Sequence, residues 1–159
     1  MKLSSQEEYG LRCLLRVGRA GMEGSVTIAE LSKSEGISEP NVAKMMRVLR
    51  TAGFVQSTRG QSGGYSLARP AGEISVGEAL AALGGRLYEA TFCETHAGME
   101  RLCTNLPDCS IRSVWRMVQS AVDQVLEKIT LKDLLVPERD MAWPRPGSPT
   151  LPSLTGPQA

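Results

Sequence analysis

Three of the four cysteines, Cys93, Cys103 and Cys109, fall in one short stretch with the spacing Cys-x9-Cys-x5-Cys. The same stretch carries Glu94, His96, Glu100 and Asp108. Thiolates are soft ligands, and an irregular loop bearing glycine and proline lets them converge without helical constraint. A soft metal site is therefore one chemistry open to this segment. Zinc completed by His96 is a second, and thiol–disulfide sensing of oxidants a third. Three unrelated thiols is the plain alternative, and no Cys-x2-Cys pair narrows the choice. Cys13 lies instead on the apolar face of a helical pattern, where it reads as a small core residue. His96 is the only histidine. With no nucleophile–base motif beside it, the chain offers no convincing acid–base pair, which argues against an enzyme.

A second group of residues is cationic. Lys44, Arg47 and Arg50 lie in one helical pattern, and Arg59 opens the glycine-rich turn Arg59-Gly60-Gln61-Ser62-Gly63-Gly64. A nucleotide-type phosphate loop is excluded here, because it needs Gly-Lys-Ser/Thr opening a helix, whereas Tyr65 opens a strand. The elements around these residues give them another task. A first helix spans residues 4–20, with Tyr9, Cys13 and Val17 at i, i+4 spacing, and Gly18, Gly21 and Gly24 are expected to break it. Thr27 and Glu30 form a capping box that starts a second helix, which stops at Gly36. Ser38 is placed to cap a third helix, with Pro40 tolerated in its first turn. Val42, Met45, Met46 and Leu49 line one side of it. Strands at Phe54–Thr58 and Tyr65–Ala68 flank the glycine turn. Two short helices, a Gly-Ile-Ser turn, a basic third helix and a hairpin make a winged helix-turn-helix. The third helix offers its N-terminal residues to the major groove, and Arg59 reaches a phosphate or the minor groove.

Ser75 caps a further short helix through Leu83, and residues 84–110 show no sustained period. From Ile111 to Ile129 the stripe Ile111, Val114, Val118, Val122, Val125 and Ile129 marks the longest helix. It carries more apolar surface than a small domain needs, so part of it is expected to meet a partner helix. A short helix or turn follows over Leu131–Val136. The last 23 residues hold six of the nine prolines and read as a disordered tail. The reading is thus a mainly α fold with a small β-hairpin wing, divided into a winged helix-turn-helix DNA-binding domain (1–83), a cysteine-bearing loop (84–110), a long helix with a C-terminal turn (111–136) and a Pro-rich tail (137–159).

Composition agrees with this division. The chain has 159 residues, 42% hydrophobic and 22% charged, which is a globular balance and enough length to bury a core without disulfides. The net charge of +1 hides an asymmetry: residues 1–70 carry ten basic against six acidic side chains, and residues 71–136 six against nine. A basic first half suits a polyanion. Aromatic residues at 4% disfavour a single-strand binder built on stacking. No stretch approaches the ~20 apolar residues of a membrane span, and the N-terminus has no apolar signal core. A cytoplasmic protein is expected, with neither a membrane partner nor a small-molecule substrate.

Several segments together resemble the IscR/NsrR family of bacterial winged-helix transcription regulators. They are Met1-Lys2-Leu3-Ser4, Gly36-Ile37-Ser38, Ala52-Gly53-Phe54-Val55, the turn from Arg59 to Tyr65, Ile74-Ser75-Val76-Gly77-Glu78, the cysteine loop, Trp115 and Ile129-Thr130-Leu131-Lys132-Asp133-Leu134. The resemblance covers roughly residues 1–136 and implies a homodimer on a double-stranded, pseudo-palindromic DNA operator, with the long helix from Ile111 as the dimerisation helix. It assigns Cys93, Cys103 and Cys109 as ligands of an iron–sulfur cluster, with two or four irons undecided. The biogenesis branch has a histidine three residues after the last cysteine, where this chain has Arg112, and a guanidinium is no iron ligand. The nitric-oxide-sensing branch takes a carboxylate from the first helix of the other subunit, and Glu8 matches that position. Glu8 is therefore the expected fourth ligand, with His96 next. A related redox-sensing branch adds a histidine where Arg12 stands here. The gap of nine between Cys93 and Cys103 exceeds the family's common five. For DNA, the resemblance implies base reading from Pro40, Ala43 and Lys44, with Asn41 beside them, phosphate contacts from Arg47 and Arg50, and Arg59 in the wing. The biogenesis branch has a glutamate where Ala43 stands, so its operator preference does not carry over. A cluster-free, thiol-redox-sensing DNA-binding regulator is the alternative.

Overall fold

The computed structural model describes residues 3–58, 63–89, 91–97, 103, 105 and 108–141. Helix α1 (Ser5–Arg19) starts at Ser4, whose side chain accepts the Glu7 N–H while the Glu7 carboxylate takes the Ser4 N–H. It buries Cys13, Leu14 and Val17. The helix does not break at Gly18, which is buried inside it; a Cβ there would stand 3.2 Å from Leu131 and 3.3 Å from Leu135. Tertiary packing outweighs the roughly 1 kcal/mol propensity cost of a helical glycine. Gly10 acts likewise: its missing Cβ leaves room for Leu83.

Helix α2 (Ile28–Glu35) begins with the Thr27–Glu30 capping box and ends at Gly36, whose φ of 66° is the left-handed cap that glycine adopts cheaply. Helix α3 (Glu39–Thr51) follows with Ser38 at the N-cap position, although the Ser38 side chain makes no capping hydrogen bond. Val42, Met45, Met46 and Leu49 are buried as the spacing predicts. Strands β1 (Val55–Thr58) and β2 (Gly64–Leu67) pair antiparallel, with Val55 opposite Leu67. Val26, just before α2, bonds Tyr65 in both directions at 2.9 Å, so the wing is fastened to the helix-turn-helix. A Cβ on Gly64 would meet the Val26 carbonyl oxygen at 2.8 Å; this glycine serves an internal approach.

After a 3-10 turn at Ala71–Glu73 come α4 (Val76–Gly84), capped by Ser75, and a single turn α5 (Phe92–Thr95) in the stretch that lacked a period. Helix α6 (Ser110–Leu126) is the longest, and α7 (Leu131–Leu134) closes the fold. The chain returns to the first helices here. Val76 N–H bonds the Ile129 carbonyl at 2.9 Å, Leu131 N–H bonds the Ile74 carbonyl at 2.8 Å, and Leu131 is buried in the same core as Leu14, Leu31 and Leu49. Glu138–Asp140 form a 3-10 turn at the start of the stretch read as a tail. Its remainder, 142–159, lies outside the described residues. Among the described residues no helix is long and apolar enough to cross a membrane.

Candidate functional site

Helix α3 turns two faces to different surroundings. The buried stripe anchors it, while Pro40, Asn41, Lys44, Arg47 and Arg50 are exposed and Ala43 is half-buried. Pro40, Ala43, Lys44 and Arg47 share the outer face by their i, i+3, i+4, i+7 spacing. Among the described residues none of Lys44, Arg47 and Arg50 is held in an ion pair. Arg12 has a different role: its guanidinium donates to the Glu35 carboxylate at 3.1 Å and to the Glu35 carbonyl at 2.6 Å, clamping α1 to the end of α2 just before the turn into α3. Helix α3 is thus fixed against its neighbours, with its cations outward. Arg59, at the wing, lies outside the described residues.

Cys93, Cys103, Cys109 and His96 line one pocket of about 160 Å³, with Tyr88 and Trp115 in its wall. Each of the three cysteines is half-buried and free. Cys109 is the N-cap of α6, and its sulfur accepts the Arg112 N–H at 3.4 Å. His96 stacks on Phe92, with ring centroids 4.0 Å apart and planes 10° from parallel. Its Nδ1 lies 3.0 Å from the Phe92 carbonyl oxygen. The Thr95 hydroxyl also lies 2.9 Å from Nδ1. Three thiols and an imidazole around one pocket fit a soft metal or iron–sulfur group in chemical kind. Among the described residues, however, no three His, Cys, Asp or Glu side chains stand close enough together to hold a metal ion.

Cys13 is separate from this group. It is fully buried in the core, and burial, helped by the nearby Glu35 carboxylate, pushes its thiol up to about 11. One residue that spacing did not single out lines the pocket, and a second holds it from α6. The Tyr88 hydroxyl lies 3.3 Å from the Cys93 sulfur, and the Tyr88 N–H donates to the side-chain oxygen of Gln119 at 2.8 Å. The hydrogen bond with Cys93, with burial behind it, raises the Tyr88 pKa above its ordinary value. The aromatic positions Tyr88, Phe92 and His96, four residues apart, were the legible trace of this stack. Gln119 left no signal in the sequence beyond a polar residue in an apolar helix.

A model of the Rrf2 family, described as an iron-dependent transcriptional regulator, matches residues 3–137. The chain belongs to the Rrf2 family. Protein rrf2 of Nitratidesulfovibrio vulgaris is 35% identical over 135 residues, covering 85% of this chain and 87% of that protein. Among solved structures, IscR of T. potens has a TM-score of 0.68 at 33% identity, covering 91% of this chain and 94% of that one. CymR, the global cysteine regulator of B. subtilis, has a TM-score of 0.67 at 27% identity, covering 85% and 96%. As an Rrf2 protein the chain is a winged-helix transcription regulator that binds DNA, and it is not an enzyme. An IscR relative thus stands beside a cysteine regulator among the similar structures.

Within this Rrf2 fold, Glu8 is exposed on the first turns of α1 and does not line the cysteine pocket of its own chain. The expected dimerisation helix buries only Gln119 within the chain. Ile111, Val114, Trp115, Met117 and Val125 stay exposed, from 45% to 60%.

Proposed function

We propose that this Rrf2 protein is a homodimeric, operator-binding transcription regulator controlled by an iron–sulfur cluster on Cys93, Cys103 and Cys109, with Glu8 of the partner subunit as the fourth ligand. The observation that carries this reading is the common pocket of the three cysteines at the N-terminus of α6. The exposed apolar stripe of α6 is the surface that a second copy would cover. Pro40, Asn41, Ala43 and Lys44 read base edges, Arg47 and Arg50 hold phosphates, and Arg59 carries the wing. When bound, the cluster supplies sensitivity to iron supply, redox poise or nitric oxide. The residues of this chain do the rest: Glu8 sits one helical turn before Arg12, which clamps α1 to α2. Engaging or releasing Glu8 therefore acts on the element that sets the reading helix. A small rotation between two heads changes operator affinity, because affinity depends on half-site spacing.

The test is an absorbance spectrum of protein purified without oxygen, with iron and sulfide assayed on the same sample and operator binding measured before and after cluster removal. Broad visible absorbance with matching iron and sulfide supports the reading. A protein that stays colourless and iron-free after reconstitution, yet binds DNA, overturns it. Glu8→Ala and His96→Ala then identify the fourth ligand, since only the true ligand's loss changes the spectrum and cluster lifetime. One observation favours a second reading, thiol-redox control without a cluster: the three thiols are free and partly accessible around one pocket. Oxidant-dependent DNA binding by the iron-free protein would establish it.

A further inference from the structure

A line of polar contacts joins the cysteine pocket to the long helix. At its inner end the Tyr88 hydroxyl meets the Cys93 sulfur at 3.3 Å. Tyr88 is itself buried, the only buried hydrophobic residue among those described between α4 and α6. Its backbone N–H is held by the side chain of Gln119, the one residue of α6 that is buried in the chain. Gln119 in turn donates to Asp123 at 2.8 Å, and Asp123 pairs with Arg86. Phe92 packs against the Tyr88 ring at 5.5 Å. A buried glutamine is retained at little cost only when its oxygen and nitrogen are both paired, and here both are.

We infer that Tyr88 is a positioning residue that donates a hydrogen bond to the ligating sulfur of Cys93, and that Gln119 holds it in place from α6. A metal-bound thiolate has no proton to give, so the phenol is the donor. Hydrogen bonds to ligand sulfurs are among the levers that set a cluster's potential. Reduction adds negative charge, and a donor stabilises the reduced form more than the oxidised one. Removing the hydroxyl must therefore make reduction harder. The relay also gives α6, the proposed interface helix, a direct mechanical link to one ligand. This inference rests on the cluster reading above.

The experiment uses the full chain, reconstituted without oxygen, as wild type, Tyr88→Phe and Gln119→Met. The midpoint potential is followed by optical titration, with iron and sulfide assayed in parallel. Tyr88→Phe should keep full cluster content and shift the reduction equilibrium about tenfold toward the oxidised form, about 59 mV more negative for one electron. Gln119→Met leaves the ring in place but removes its anchor, and should move the potential in the same direction by less. A Tyr88→Phe protein with full cluster content and an unchanged potential overturns the inference and leaves the functional reading standing. A wild-type protein that takes up no iron and sulfide overturns both.

Discussion

The reading head and the cysteine segment are built by different means. In the head, most helix boundaries have a local cause: the Ser4–Glu7 box, the Thr27–Glu30 box, Gly36 and Gly53 with positive φ, and Ser75 bonding the Gly77 and Glu78 amides. Beneath it Leu14, Leu31, Val42, Met46, Leu49 and Leu67 are at most 1% exposed. Between α4 and α6 the described residues bury Tyr88 alone among hydrophobics, and α5 is one turn with no side-chain cap. A head with its own core arrives at one geometry before it meets DNA. The cysteine segment buries little, so under the proposed function ligation supplies much of its ordering. That division suits a sensor: the part that reads is fixed, and the part that responds depends on what it holds.

Substitutions should respect the division. The largest effect is expected from Cys103→Ser: complete loss of cluster absorbance after reconstitution, with the urea stability of the cluster-free protein changed by no more than about 0.5 kcal/mol, as for a substitution outside the core. A large loss of stability with the spectrum retained would show that the two regions are not separable in this way. The converse is Leu131→Ala. Leu131 is 1% exposed and packs where a Cβ on Gly18 would stand 3.2 Å away. Its truncation should cost about 2–5 kcal/mol in denaturant unfolding, while any protein that remains folded still takes up iron and sulfide.

The same contrast explains what could be read from the sequence. The three helices, the hairpin and the capping residues were legible because each is coded within a few residues: Thr27 with Glu30, Gly36 after Glu35, the period of Val42, Met45, Met46 and Leu49. Gly18 misled for the same reason. Its local preference is to end a helix, and the residues that override it, Leu131 and Leu135, are over a hundred positions away. Cys93, Cys103 and Cys109 stood out by residue type, yet the Tyr88–Gln119 hydrogen bond was not legible. It joins an aperiodic stretch to a helix across 31 positions, and no local pattern encodes such a pairing. The outward cations of α3 were visible by elimination, since the buried stripe leaves only one face for Lys44 and Arg47.

That outer face gives a test of smaller size. Lys44→Ala should weaken operator binding while leaving unfolding unchanged, because Lys44 is exposed and outside the core. If Lys44 meets a base edge, discrimination against a changed base pair falls by about 1–3 kcal/mol. If it meets a phosphate, binding weakens evenly across sequences and the salt slope drops by about one. Competition with point-changed operators at two salt concentrations separates these, and an unchanged affinity would remove Lys44 from the interface.

The smallest effect expected is at acid pH, and it belongs to the head. Glu30 has its pKa lowered by accepting the Thr27 backbone N–H and then the Thr27 hydroxyl; Asp133 is lowered in the same way by Thr130. The unfolded chain lacks these bonds, so it binds protons at higher pH than the folded one does. The stability they contribute is present above the ordinary carboxylate values of 4.5 for Glu30 and 3.8 for Asp133, and is lost as pH falls through the lowered folded values. Glu30→Gln keeps an acceptor for the Thr27 N–H but cannot titrate. Its melting temperature should lie below wild type at neutral pH and converge on it as the solution is acidified. A gap that stays constant across that range would show that the charge of Glu30 adds nothing to the cap, and that the start of α2 is held by the Thr27 side chain and the Val26–Tyr65 bridge alone.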